Sequence, residues 1–76
     1  MTERRVGQFS FQNDGSQVNV SLHEDPSGWP SIATEIQGET RVHERGASFE
    51  EVMILGLGSE TGLRAIKAYR KSGQNT

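Results

Sequence analysis

The stretch GQFSFQNDGSQVNVSL, residues 7–22, decides the fold of this chain. Apolar and polar residues alternate on both sides of a central NDGS, a pattern typical of two strands joined by a turn. If Asp14 and Gly15 form the two-residue loop of a type I′ turn, the register is fixed. The cross-strand pairs are then Phe11 with Val18, Phe9 with Val20, and Gly7 with Leu22. All apolar side chains of this hairpin share one face, so register and hydrophobic pattern agree.

A second hairpin is predicted after a loop. Residues 25–30, DPSGWP, contain two prolines and a glycine, which interrupt a strand. Residues 31–36 and 40–45 alternate again around Gly38. A loop centred on Gly38 would place Ile36 opposite Thr40 and Thr34 opposite Val42. The core side would then carry Ile32, Thr34, Ile36 and Val42, and the outer side Ala33, Glu35, Arg41, His43 and Arg45.

From residue 48 the hydrophobic period becomes helical. Ser48 and Glu51 form a capping-box pattern at the start of the first helix, Gly58 is expected to end that helix, and Ser59 is expected to cap the second. The apolar stripes are Phe49, Val52, Met53, Gly56 and Leu57 in the first helix, and Gly62, Ala65, Ile66 and Tyr69 in the second. The sequence predicts an α+β fold, a four-stranded antiparallel sheet of two hairpins followed by an αα-hairpin packed on one face (ββββαα).

Length and composition limit the classes of protein. A chain of 76 residues, 32% of them hydrophobic, supports one small domain over residues 1–76, with flexible ends expected at 1–5 and 73–76. No cysteine is present, which excludes disulfides and thiolate metal sites and suits a reducing compartment. The longest apolar run, residues 52–55, is too short to span a membrane. We therefore expect a cytoplasmic protein with no membrane partner.

The charges are unevenly distributed along the chain. Residues 14–60 carry nine acidic residues against Arg41 and Arg45, a charge of −7. Residues 61–76 carry no acidic residue and four basic ones, Arg64, Lys67, Arg70 and Lys71. Two interpretations of this basic helix remain open: its charges complement the helix dipole, or they bind nucleic acid as part of a small transcription-regulatory protein.

Catalytic chemistry is weakly represented. His23 and His43 each precede an acidic residue, but neighbouring residues on a strand point to opposite faces, so those acids cannot share a site with them. The two histidines could meet only if both lay on the outer sheet face. The glycine run of residues 56–62 lacks the spacing of a phosphate loop and is typical of a tight αα-corner. We expect no catalytic residue, no metal and no cofactor.

The outer sheet face and the loop Trp are the candidate binding elements. A lone Trp in a Pro/Gly loop either packs on the sheet edge, the commoner role, or anchors a partner. A solvated outer face is usual for a sheet covered on one side, and a binding role is the alternative. The candidate partner-binding residues are Gln8, Asn19, His23, Trp29, Glu35 and Arg41.

Residues 48–69, SFEEVMILGLGSETGLRAIKAY, resemble the αα-hairpin of a small phage-encoded family of anti-CRISPR proteins directed at the type I-F surveillance complex. The shared features are a capped acidic first turn, a Gly-Leu/Gly-Ser corner, and a Gly-Leu followed by small apolar residues. The resemblance implies a non-catalytic inhibitor that binds the repeated backbone subunits of an RNA-guided complex and blocks target DNA. That family contacts its partner through tyrosines and an acid on the sheet. Here the predicted sheet has no tyrosine, so no contact residue is carried over.

The predicted function is therefore a small protein-binding inhibitor, with nucleic-acid binding by the basic helix as the alternative. A monomer and a dimer formed through an unpaired edge strand are both compatible with the predicted sheet.

Overall fold

The computed structural model describes residues 4–72, in which four strands are followed by two helices. The strands are β1 (Arg4–Asn13), β2 (Ser16–Glu24), β3 (Pro30–Ile36) and β4 (Glu39–His43), and the helices are α1 (Phe49–Leu57) and α2 (Ser59–Lys71). The strands form one antiparallel sheet in the order β1-β2-β3-β4. The predicted ββββαα fold is confirmed.

The ends of the chain were predicted to be flexible at 1–5 and 73–76. Residues 1–3 and 73–76 lie outside the described part of the chain. Arg4 and Arg5 belong to β1 and pair with Glu24 and His23 of β2, so the strand begins before the predicted Gly7.

The first hairpin has the predicted register. Phe11 pairs with Val18 and Phe9 with Val20. Asp14 and Gly15 have φ values of 52° and 79°, as a type I′ turn requires. The register shifts once, between Arg5 and Gly7, where β1 carries a bulge.

The second hairpin has a different register from the predicted one. Its loop consists of Gln37 and Gly38, with φ values of 52° and 84°, and Ile36 pairs with Glu39. Thr34 therefore pairs with Arg41, and Ala33 with Val42. This loop is shorter than the loop centred on Gly38 that we expected, and the one-residue slip exchanges the two faces of β4.

A tight turn joins the two hairpins into a continuous sheet. Gly28, with φ 88°, donates its backbone N–H to the carbonyl of Asp25 at 2.9 Å. The Asp25 carboxylate accepts from the backbone N–H groups of Ser27 and Trp29, both at 2.9 Å. This pattern is typical of a type I turn followed by a glycine bulge, and it brings β3 alongside β2.

The two helices cover one face of the sheet. Helix α2 packs against β1, and α1 packs against β3 and β4. The buried apolar side chains between the layers are Val18, Val20, Leu22, Ile32, Val52, Met53, Ala65, Ile66 and Tyr69. The predicted stripe of α2 is buried as expected.

The predicted N-cap is observed at α1 but not at α2. Ser48 caps α1 by accepting from the Glu51 N–H at 3.2 Å, as predicted. Gly58 ends α1 with its N–H donated to Ile54, and it is itself the N-cap of α2. The prediction that Ser59 caps α2 is wrong, because Ser59 is already the first helical residue and no side chain caps this helix. So tight a corner needs a backbone with positive φ between the helices, which glycine supplies.

Candidate partner-binding face

The sheet surface opposite the helices is the candidate binding face. We call it the outer face. The strand register assigns to it, among others, Gln8 and Ser10 of β1, Asn19, Ser21 and His23 of β2, Ala33 and Glu35 of β3, and Thr40 and Val42 of β4. Neither α1 nor α2 covers it. Alternation along the strands gives this face its character, because the residues between the buried valines and leucine are polar.

A row of polar side chains crosses the outer face. Gln17 donates its side-chain amide to Asn19 at 2.9 Å, and Asn19 donates to the Glu35 carboxylate at 3.4 Å. Between β1 and β2, small serine side chains leave a shallow hollow of about 310 Å³, lined by Gln8, Phe9, Ser10, Asn19, Val20 and Ser21. The face therefore presents hydrogen-bonding groups that a partner can reach without displacing a large side chain.

Trp29 is exposed at the margin of this face. The Asp25 N–H donates to the Trp29 carbonyl at 3.1 Å, which continues the β2–β3 ladder past Glu24 and Pro30. Trp29 is two residues from the outer-face residue Ser31, so it lies at an outer-face position of that ladder. With 58% of its surface exposed, it is open to a partner over more than half of its area.

Arg41 does not belong to the outer face. The register of β4 places it opposite Thr34, on the face that the helices cover, and its side chain is 71% exposed and 3.8 Å from Glu39. Our assignment of Arg41 to the outer face was wrong because the β3–β4 loop is shorter than predicted. Of the six candidates, Gln8, Asn19, His23 and Glu35 share the outer face, Trp29 lies at its margin, and Arg41 is on the other side.

Arg41 lines a groove that the sequence did not predict. The groove, of about 380 Å³, lies where the αα-corner leaves the end of the sheet uncovered, and it is lined by Asn13, Thr34, Ile36, Gln37, Glu39, Arg41, His43, Gly56, Leu57 and Thr61. The groove was not predicted because the expected loop was longer than the one formed by Gln37 and Gly38 and so placed Arg41 and His43 on the opposite face of the sheet.

His43 was also expected on the outer face and is on the opposite one. Its ring packs against Gly56 of α1, and its Nε2 lies 3.5 Å from the Thr34 hydroxyl. Burial lowers the pKa of His43, and the positive charge of Arg41 lowers it further.

The two histidines cannot form a common acid–base or metal site. His23 is on the outer face and His43 on the helix-covered face, with the sheet between them. Within residues 4–72, no group of three or more His, Cys, Asp or Glu side chains is placed to hold a metal ion. The geometry offers no support for chemistry shared by these two residues.

The basic residues of α2 are partly engaged in contacts within the molecule. Arg64 donates to the Asn13 side chain and lies 3.7 Å from both Asp14 and Glu60. Arg70 contacts Glu50 at 2.8 Å, and this contact joins α2 to the start of α1. In the described chain no salt bridge engages Lys67 or Lys71. The four predicted cations thus present a smaller free positive surface than the sequence suggests.

Fold and surface together define a small α+β domain whose helices leave one polar sheet face uncovered. Comparison with known proteins finds no matching family model, no matching curated protein and no matching solved structure. Across residues 4–72, neither helix is long and apolar enough to cross a membrane.

Proposed function

We propose that this protein is a non-catalytic protein-binding module that docks through its outer face. The observation that carries the proposal is Trp29, whose indole is exposed and whose backbone is held by a hydrogen-bonded turn at the margin of an uncovered polar sheet. A polar outer face alone is ordinary for such a fold. A large aromatic side chain in an exposed position is typical of interface anchors, because it buries much area in a complex.

The chemistry of this face favours a polar and positively charged protein surface as the partner. Its amides and hydroxyls donate and accept hydrogen bonds, and Glu35 supplies a carboxylate at its centre. The chain as a whole is acidic over residues 14–60, with a charge of −7, and Glu35 is the strand carboxylate that lies on the outer face, together with Arg5. Complementary charge speeds encounter with a basic partner and excludes acidic ones.

A surveillance complex of the type I-F CRISPR system is the partner to which the resemblance of residues 48–69 points. The subunits of an RNA-guided complex that receive target DNA are expected to present basic surfaces. An acidic module seated on such a surface would block the DNA by occupying its site. This inhibitor role is our proposal for the biological setting of the docking face.

The test is co-elution of the protein with a purified type I-F surveillance complex, together with the binding of target DNA to that complex. We expect co-elution and loss of DNA binding with the unaltered protein. Trp29→Ala and Asn19→Arg should each weaken the complex about tenfold or more, since truncating an anchor or placing a bulky cation at the centre of the face removes well-packed contacts. Lys67→Ala, on an exposed part of α2, is the matched control and should bind normally.

The two parts of the proposal fail separately. Absence of co-elution with undiminished DNA binding would overturn the inhibitor role at this complex. Co-elution that survives both Trp29→Ala and Asn19→Arg would overturn the docking face.

A further inference from the structure

The two edges of the sheet differ in how well they are protected. The β1 edge carries a bulge between Arg5 and Gly7, and a bulge distorts an edge so that another strand pairs with it poorly. The β4 edge pairs with β3 in an unbroken register from Glu39 to His43. Of the two edges, β4 is therefore the one suited to accept a further strand.

The β3–β4 loop determines which backbone groups β4 offers. In a hairpin closed by a two-residue loop, the residues that flank the loop form a hydrogen-bonded pair, and such pairs alternate along the ladder. Glu39, Arg41 and His43 accordingly direct their backbone groups at β3, and Thr40 and Val42 direct theirs away from the sheet. A strand added at this edge would pair with Thr40 and Val42.

We propose that the occupant of this edge is β4 of a second copy of the chain, in an antiparallel arrangement with its two-fold axis at Val42. That register pairs the outward-directed backbone groups of Val42 with those of Val42 in the second copy. It also places Glu39 opposite Arg45 of the second copy and Thr40 opposite Glu44, where the two residues that follow β4 extend the ladder, so Glu39 and Arg45 meet at each end. Charge complementarity therefore selects a second copy as the occupant.

A neighbouring register is disfavoured by the same residues. With the axis at Arg41, two guanidinium groups would lie directly opposite each other, and like charges in that position destabilise a strand pair. The shift would also separate Glu39 from Arg45 of the second copy. The charges of β4 thus disfavour this register.

Exposed apolar surface beside this edge supports the pairing. Val42 and Leu55 are 60% and 61% exposed, and both line a hollow of about 330 Å³ together with His43, Glu44, Arg45 and Gly56. A strand from a second copy would cover Val42 on one side of the sheet and approach Leu55 on the other. Removal of this area from water adds to the backbone hydrogen bonds.

The dimer goes beyond the proposed function, because it would determine how two outer faces are arranged relative to each other. The two sheets would form one continuous eight-stranded sheet, with both outer faces on the same side. If the outer face binds a partner, as proposed above, a dimer could engage two neighbouring subunits of a repeated assembly at once. Such bivalent contact raises the overall affinity without new contacts in either face.

The test is sedimentation velocity of the purified protein alone, over a series of concentrations up to about 1 mM, the range of weak self-association. We expect a reversible monomer–dimer equilibrium. Val42→Lys should weaken it at least about tenfold, since two lysines would meet at the axis. Thr40→Lys is the matched control on the same face of the same strand, and it should still dimerise because the introduced lysine would lie opposite Glu44 of the second copy.

A charge exchange tests the register itself. Glu39→Arg and Arg45→Glu should each weaken the dimer, and the two together should restore it, because the opposite-charge pairs are then re-formed in reverse. A chain that stays monomeric over the whole series, a Val42→Lys variant that dimerises normally, or a double variant that is not restored would each overturn the proposal. No partner is present in these measurements, so their outcome is independent of the docking face.

Discussion

At the scale of single residues, Gly56 and Gly62 illustrate two kinds of close contact. A Cβ on Gly62 would lie 2.8 Å from the Met53 carbonyl oxygen and 2.8 Å from the Ile54 Cα, both backbone atoms of α1. A Cβ on Gly56 would meet the ring of His43 at 2.5 Å, which is a side chain. Backbone atoms cannot move aside without shifting a helix, whereas the His43 ring can rotate, although its Cβ, 2.8 Å from the added atom, stays in place. The two glycines therefore limit the packing differently.

This difference predicts the cost of adding a methyl group. Gly62→Ala should lower the free energy of unfolding by about 1–3 kcal/mol, as overpacking does. Gly56→Ala should also destabilise, and a His43→Ala background should reduce its cost, because the ring is then gone while the His43 Cβ, 2.8 Å from the new methyl group, remains. Urea denaturation of the variants measures both effects. A cost of Gly56→Ala that is undiminished in the His43→Ala background would contradict this account of the packing.

His43 predicts a pH dependence of stability. Because its pKa is lowered in the folded protein from the ordinary value of 6.5, the unfolded chain binds that proton first as the pH falls. The contribution of His43 to stability is complete above the ordinary value and is lost as the pH falls through it toward the lowered one. Between about pH 7.5 and 5.5, the unaltered protein should lose more stability than His43→Gln.

The control for this pH effect is Ser59→Ala, an exposed and non-titrating substitution away from His43, which should keep the dependence of the unaltered protein. Denaturant midpoints at the two pH values provide the measurement. A His43→Gln variant with undiminished pH dependence would show that another group is responsible.

At the scale of elements, the two hairpins show what the sequence could and could not predict. Asp14 and Gly15 are residues that type I′ turns favour, so the turn and the hydrophobic alternation agreed on one register. Gln37 is not a residue that readily adopts positive φ, and the turn signal at Gly38 was therefore consistent with more than one loop. Val42 added a misleading apolar position, because it is exposed on the outer face. The wrong faces predicted for Arg41 and His43 both resulted from the one incorrect register of this second hairpin.

The N-cap of α1 predicts a loss of stability on substitution of Ser48, and Ser59 provides the comparison. Ser48→Ala should destabilise the protein by about 1 kcal/mol, since the Glu51 N–H loses its acceptor. Ser59→Ala should change stability by less than about 0.5 kcal/mol, because the Ser59 side chain caps no helix. Thermal or urea unfolding of the two variants checks this pair. Similar losses in both would mean that capping at Ser48 is not the source of the effect.

At the scale of the whole molecule, the sheet-and-helix order and the polarity of the outer face followed from periodicity, whereas the exposure of Trp29 did not. An aromatic residue in a loop carries no periodic signal, and its exposure depends on the turn that Asp25 organises. The engagement of Arg64 and Arg70 also escaped the sequence, because their partners Asp14 and Glu50 are far away along the chain. Long-range contacts of this kind are fixed by tertiary packing alone.

The salt bridges of Arg64 and Arg70 predict weak binding of the protein to nucleic acid. With Arg64 and Arg70 paired to acidic residues, we expect no gel shift of DNA or RNA that weakens steeply with salt. A gel-shift series at low and high salt makes the measurement. A salt-sensitive shift that Lys67→Glu abolishes would contradict this expectation and favour nucleic-acid binding by α2.

The contact of α2 with β1 also has a consequence for how the chain is made. Strands that are neighbours in the sheet are also consecutive in the sequence, and so are the two helices of the helical hairpin. These pairs close short loops and can therefore form early. Helix α2 instead returns to the first hairpin, where Arg64 meets Asn13 and Asp14. On the ribosome, the part of the sheet that α2 covers must therefore stay exposed to water until that helix has emerged. Folding during synthesis should be completed in one late step, at which that part of the sheet is removed from water.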